Sequence, residues 1–143
     1  MASSLLNPLL GSSAMRVFTS KAYAAQLKSL PNITTLDWIC WAAPYDEMEV
    51  NLKLKALIQN FKPVFTSDDY IVQMAACKAG VGAMILPQAL RHYEGFDELQ
   101  ELDIDLGPDA IGSLYLVCHK RHRHLPKVQL VMDFISREFD ILR

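Results

Sequence analysis

Cysteine is scarce in this sequence, and what there is does not pair. Cys40, Cys77 and Cys118 are odd in number, far apart and set within apolar runs. That pattern excludes a disulfide framework, and without a CxxC pair it offers no zinc or dithiol motif. It reads as buried thiols in a reducing, cytoplasmic setting. No apolar stretch is long enough to span a bilayer, which argues against a membrane protein. Neither sign of charge is in excess: 14 Lys and Arg face 16 Asp and Glu, for a formal net charge of −2. A nucleic-acid-binding surface normally carries a basic surplus, so direct nucleic-acid binding by this chain is not expected. GxSxG, HExxH and phosphate-loop spacings are absent too, so no catalytic residues, cofactor or metal are assigned and the chain is not read as an enzyme. The opening MASSLLNPLLGSSAM lacks a basic signal-peptide start, and Asn7 and Pro8 break its apolar part. Residues 1–14 are read as a disordered leader or tag outside the fold.

What is present suits one domain of 143 residues, 51% hydrophobic. From Met15 the elements alternate. Met15–Thr19 is strand-like, and Ser20 can cap a short helix carrying Tyr23, Leu27 and Leu30 on one face. Leu36–Trp41 is a second strand, followed by an Ala42–Tyr45 loop. Between Asp46 and Phe61 the pattern fits a helix: Asp46 and Glu49 form a capping arrangement, and Val50, Leu54, Leu57, Ile58 and Phe61 form a stripe. Further strands are expected at Pro63–Phe65, Ala83–Leu86, Leu99–Leu106 and Ser113–His119, with a helical turn over Gln88–Tyr93. A final helix opens at Pro126; Val128, Val131, Met132, Ile135 and Phe139 share one face, whereas Leu130, Phe134 and Ile141 lie off it. Such alternation predicts an α/β layered domain with a largely parallel sheet.

The stretch FTSDDYIVQMAACKAGVGAMILP poses the one question of function. A phosphate loop runs strand, glycines, helix, with the helix amides facing the phosphate. Here the helix comes first, capped by Thr66 or Ser67, and Gly80 takes the left-handed position after its last turn. The glycines are therefore structural. Asp68 and Asp69 suit the helix dipole and, being adjacent, diverge too far to act as an acid–base pair. His119, His122 and His124 alternate with Lys120, Arg121 and Arg123, but no acidic residue or cysteine completes a metal shell, and a solvated loop is the simpler reading. In open α/β sheets ligands bind beyond the carboxyl ends of strands. Two such ends are visible, at Ala42–Tyr45 and at Thr66–Ser67, where hydroxyls and amides would suit a carboxylate or carbonyl.

TSDDYIVQMAACKAGVGAMILPQAL resembles the effector-binding domain of LysR-type transcriptional regulators, in which a capped helix runs into an "aGxGia-LP" segment. SLYLVCHKRHRHLPKVQLVMDFISREF resembles that family's closing strand, basic loop and last helix, and RVFTSKAYAAQL…LDWICWAAP the start of its second subdomain. The resemblance implies one lobe of a type 2 periplasmic-binding-protein-like fold. Residues 15–106 would form the second lobe, and 107–143 the returning strand and terminal helix of the first. It further implies a small-molecule effector, a carboxylate or polar metabolite, contacted by Ala43, Pro44, Tyr45, Thr66 and Ser67. It implies homo-oligomers too, and a chain truncated so that it lacks the DNA-binding domain. A fragment of a solute-binding protein of the same fold, or a small α/β enzyme, are the alternatives.

Overall fold

The computed structural model describes residues 5–6, 9–92 and 95–141, with side chains from residue 10 to 138 apart from 93 and 94. One long strand organises them. β1 (Leu5–Leu6) is followed by β2 (Leu9–Ser20), whose second half, Met15–Ser20, runs between two antiparallel neighbours. On one side lies β5 (Met84–Pro87), with Val17 opposite Ile85; on the other lies β6 (Leu99–Leu102), with Val17 opposite Leu102. Val17 is fully buried, as the centre of a strand covered on both faces should be. The first half of β2 pairs instead with β7 (Ile111–Tyr115), Ser12 opposite Ser113. β1 pairs with β8 (Cys118–His119).

Beyond β5 the sheet turns parallel. β3 (Ile39–Trp41) and β4 (Phe65–Ser67) pair in parallel, and Trp38 bridges Ala83 in the same sense. The Ile39 N–H donates to the Ala83 carbonyl at 2.9 Å, and the Ala83 N–H to the Asp37 carbonyl at 2.7 Å. Gly82 makes this approach possible, since a Cβ there would run into the Asp37 carbonyl.

Helices cover both faces. Leu54 and Val50 of α2 (Glu49–Leu57), with Tyr23 and Ala24 of α1 (Lys21–Ala25), pack on the face bearing Val17, Trp38, Cys40 and Ile85. Ala76 and Cys77 of α3 (Tyr70–Lys78) pack on the other, against Phe18, Ile39, Met84 and Leu86. The alternation of side chains along each strand is what divides the core in two. The last helix, α4 (Pro126–Ile141), is different: no described side chain on it is buried, and Leu130, Val131 and Phe134 are each more than half exposed.

The α/β class and the element order agree with the sequence reading, with three corrections. The sheet is mixed rather than largely parallel, because β2 meets β5, β6 and β7 antiparallel. Residues 9–14 are not a leader outside the fold. They are the first half of β2, held by β7, and Leu10 is buried. The helix caps also shift. α3 is capped by Asp69, whose carboxylate accepts from the Ile71 N–H at 2.8 Å, and α2 begins after Met48 without a side-chain cap, so Asp46 and Glu49 do not form the expected box. Ser20 does cap α1, accepting from the Tyr23 N–H at 3.0 Å, and Gly80 does follow α3 at φ 86°. Tyr93 and the side chains of Phe139 and Ile141 lie outside the described residues.

Candidate ligand site

β3 and β5 part company after Ile39 and Ala83, and the gap between them becomes a cavity of about 150 Å³ at the carboxyl edge of the sheet. Trp41 ends β3 on one side of it; Leu86, Pro87 and Met15 close the other, with Val50 from α2 and Tyr70 and Gln73 from α3. The divergence has a cost that Asn51 removes. At Trp41 the backbone groups facing β5 have no strand partner. The Trp41 N–H donates to Asn51 Oδ1 at 3.1 Å, and Asn51 Nδ2 donates to the Trp41 carbonyl at 2.9 Å. Asn51 is itself buried, so one side-chain amide replaces the missing ladder and holds the gap open.

Gln73 fixes the opposite wall. It is 2% exposed, and its Nε2 donates to the Ser67 carbonyl at 3.0 Å, which settles which end of the amide is oxygen. Its Oε1 accepts no hydrogen bond among the described residues. Gln73 borders the cavity, and its amide keeps an oxygen and a second N–H with no hydrogen bond among the described residues.

None of the five residues expected at a ligand site is among the described residues that line the cavity; Tyr45 and Ser67 are the two that adjoin its lining residue Trp41. Trp41 and Ser67 are paired across β3 and β4, the Ala42 N–H donates to the Ser67 carbonyl at 3.0 Å, and the Tyr45 ring meets Trp41 edge-on with centroids 5.8 Å apart. Ala43, Pro44 and Tyr45 are exposed, as is Thr66; the Ala43–Pro44 peptide is cis. Ser67 Oγ accepts from the Asp69 N–H at 3.1 Å, so part of the amide-rich turn envisaged for a ligand already has internal partners. Sequence reasoning missed Trp41, Tyr70 and Gln73. Gln73 carried a signal: a polar residue three and four positions before Ala76 and Cys77 sits on the buried face of α3.

The electrostatics of the opening are one-sided. Among the described residues no Lys, Arg or His lines the cavity. Arg16, next to Met15, is held by Glu101 at 3.1 Å and Asp103 at 3.8 Å. Asp46 and Glu47 follow Tyr45, Asp68 and Asp69 follow Ser67, and none of the four enters an ion pair among the described residues. Beneath the site, burial pushes the Cys40 and Cys77 thiols up to about 12, so both stay protonated and inert at neutral pH. Among the described residues no group of His, Cys, Asp and Glu is placed to hold a metal, although the His119 and His122 rings lie 5.6 Å apart.

A cavity beyond the carboxyl ends of parallel strands, in a layered α/β lobe, is the arrangement of a binding domain, and comparison with known proteins agrees. Residues 3–140 match the family of the LysR substrate binding domain, and the chain belongs to that family. The regulatory domain of CrgA, a LysR-type transcriptional regulator from Neisseria meningitidis, superposes with a TM-score of 0.73 at 19% identity, over 96% of this chain and 70% of that one. Against the structure of CrgA, the TM-score is 0.72, and this chain spans 48% of that one. The AmpR effector binding domain from Citrobacter freundii gives 0.69 at 15% identity, over 96% and 68% of the two chains. At these identities the likeness shows a shared fold of the type 2 periplasmic-binding-protein kind. No curated protein matches in sequence.

Proposed function

We propose that this chain is the effector-sensing part of a LysR-type transcriptional regulator, and that its effector binds in the cavity bounded by Trp41, Tyr70 and Gln73 with Ala43, Pro44, Tyr45, Thr66 and Ser67 at the rim. The observation that carries this is the cavity itself: an apolar, aromatic-walled space at the carboxyl edge of the sheet, bordered by the Gln73 amide. The domain binds and does not catalyse. In this reading it works in the cytoplasm, contacts DNA only through a separate domain, and self-associates through the apolar surface of α4 and β7, where Leu114, Leu130, Val131 and Phe134 are exposed. No helix among the described residues is long and apolar enough to cross a membrane. For the effector, the sequence reading admits a carboxylate or a polar metabolite.

The test is thermal melting and tryptophan fluorescence of the purified chain against a small-metabolite library. A saturable hit that raises the melting temperature, quenches Trp41 and disappears in Trp41→Ala supports the reading. A library without hits, or hits indifferent to that substitution, overturns it.

A further inference from the structure

We propose that the basic segment 119–124 docks on the acidic loops that follow β3 and β4 in a second copy of this chain, each copy's segment seated on the other's loops. This rests on the self-association read above, to which it gives an orientation, and not on what the cavity binds.

Lys120, Arg121 and Arg123 stand among His119, His122 and His124, and no Asp or Glu occurs from His119 to Met132. The segment makes a single 3-10 turn over Lys120–His122 and, His119 apart, is exposed. None of its cations, nor Lys127, enters an ion pair among the described residues. Its own hydrogen bonds leave two of the histidines as donors. His119 Nδ1 accepts from the Arg121 N–H at 3.1 Å, and His124 Nε2 accepts from the Arg123 Nε–H at 3.0 Å. In a neutral ring the other nitrogen is then the one that carries the proton. Both rings therefore offer an N–H to an acceptor rather than a lone pair to a metal.

The complement lies on the same chain. Asp46, Glu47 and Glu49 follow β3, and Asp68 and Asp69 follow β4; all are exposed, and no Lys, Arg or His occurs within 42–49 or 66–70. None of them enters an ion pair among the described residues. Trp41 pairs with Ser67, so the two acidic loops leave the sheet side by side. A second copy carries both charges, and a two-fold pair uses each of them twice. An unrelated acidic partner would neutralise the basic segment and leave the acidic loops bare. The segment also continues through Leu125 into α4, where Leu130 and Phe134 are exposed. Exposed ion pairs add little affinity singly, so the apolar surface holds the copies and the charges set approach and register.

Sedimentation of the full chain at neutral pH tests this. The dimer dissociation constant should rise at least about tenfold between roughly 50 and roughly 500 mM sodium chloride, as screening tightens. Reversing the segment (Lys120→Glu, Arg121→Glu, Arg123→Glu) and reversing the loops (Asp46→Lys, Glu47→Lys, Asp68→Lys) should each weaken the low-salt dimer at least about tenfold. Asp69 is left in place because it caps α3. Mixed one to one, the two variants should dimerise again, since each then meets the opposite charge, a recovery that a damaged fold could not give. Where either variant fails to fold, carbodiimide coupling of isotope-labelled with unlabelled wild-type chains should join Lys120 of one copy to Asp46, Glu47 or Asp68 of the other. Dimers indifferent to salt and to both reversals, a mixture that does not recover, or coupling confined to single copies overturns the charged contact and leaves apolar self-association standing. A chain monomeric at every salt concentration overturns both, and heparin binding lost on reversing the segment would then assign it to a foreign polyanion. Neither result touches the effector reading, which its own melting experiment decides.

Discussion

Asn51 supports the site without lining it. It satisfies both backbone groups of Trp41, so its removal leaves a buried donor and a buried acceptor unpaired at the mouth of the cavity. Each such group costs about 1–3 kcal/mol, and Asn51→Ala is expected to lower unfolding free energy by roughly 2–4 kcal/mol. Urea unfolding measures this, and a loss below about 0.5 kcal/mol would mean water replaces the amide without strain. Gly82→Ala is expected to be costly for a different reason: the new methyl meets the Asp37 backbone rather than a flexible side chain. A loss of about 2 kcal/mol or more is anticipated, with β3 and β5 forced apart. The thiols give a third residue-level test. Iodoacetamide at neutral pH should label Cys118 in the folded chain and leave the buried Cys40 and Cys77 untouched until denaturant is added.

At the scale of elements, the contrast lies between α2 and α4. Leu54 is fully buried, so Leu54→Ala should cost about 2–5 kcal/mol. Phe134 on α4 is 57% exposed, and Phe134→Ala should stay within about 0.5 kcal/mol in dilute solution. If the two cost the same by urea unfolding, the α4 face is covered by a second copy even at low concentration. Which elements form was largely legible in the sequence, because a short apolar run such as residues 83–86 reads as a buried strand and the periodic stretch 126–138 as a helix. Where they begin was less so. Thr66 and Ser67 looked like caps for α3, but both are used in pairing with β3, so the cap falls to Asp69. The Asp46–Glu49 box fails because successive turns, Tyr45 N–H to the Ala42 carbonyl and Met48 N–H to the Tyr45 carbonyl, carry the chain on before α2 starts. Strand direction was not legible at all. Alternation suggests parallel pairing, and nothing local announces that β2 is met antiparallel on both sides. For the same reason the residues proposed for the rim were chosen from strand ends, whereas Gln73 and Tyr70, one element further on, needed the packing of α3.

For the whole molecule, pH and charge give the sharpest expectations. Folding raises both buried thiols from near 9 to about 12. A group with a raised folded value stabilises fully below its unfolded value and loses that contribution as pH climbs towards the folded one. Stability should therefore fall between about pH 9 and pH 12, by up to about 1.4 kcal/mol per unit for each thiol. Unfolding measured at stepped pH on wild type and Cys77→Ala checks the sign, since the variant should lose stability less steeply over that range. With a net charge of −2, the isolated chain is also expected to show no salt-dependent gel shift of duplex DNA.

The position of β2 has a consequence for how the chain acquires its structure. Among the described strands it is the first long one, yet Val17 waits for Ile85 and then Leu102, and Ser12 waits for Ser113. Until those residues leave the ribosome, an apolar strand lacks its β5, β6 and β7 partners, while β3, α2 and β4 can already assemble locally. Nascent chains ending before residue 100 should be held by chaperones or aggregate through residues 15–20, and chains extended past residue 115 should become protease-resistant in one late step.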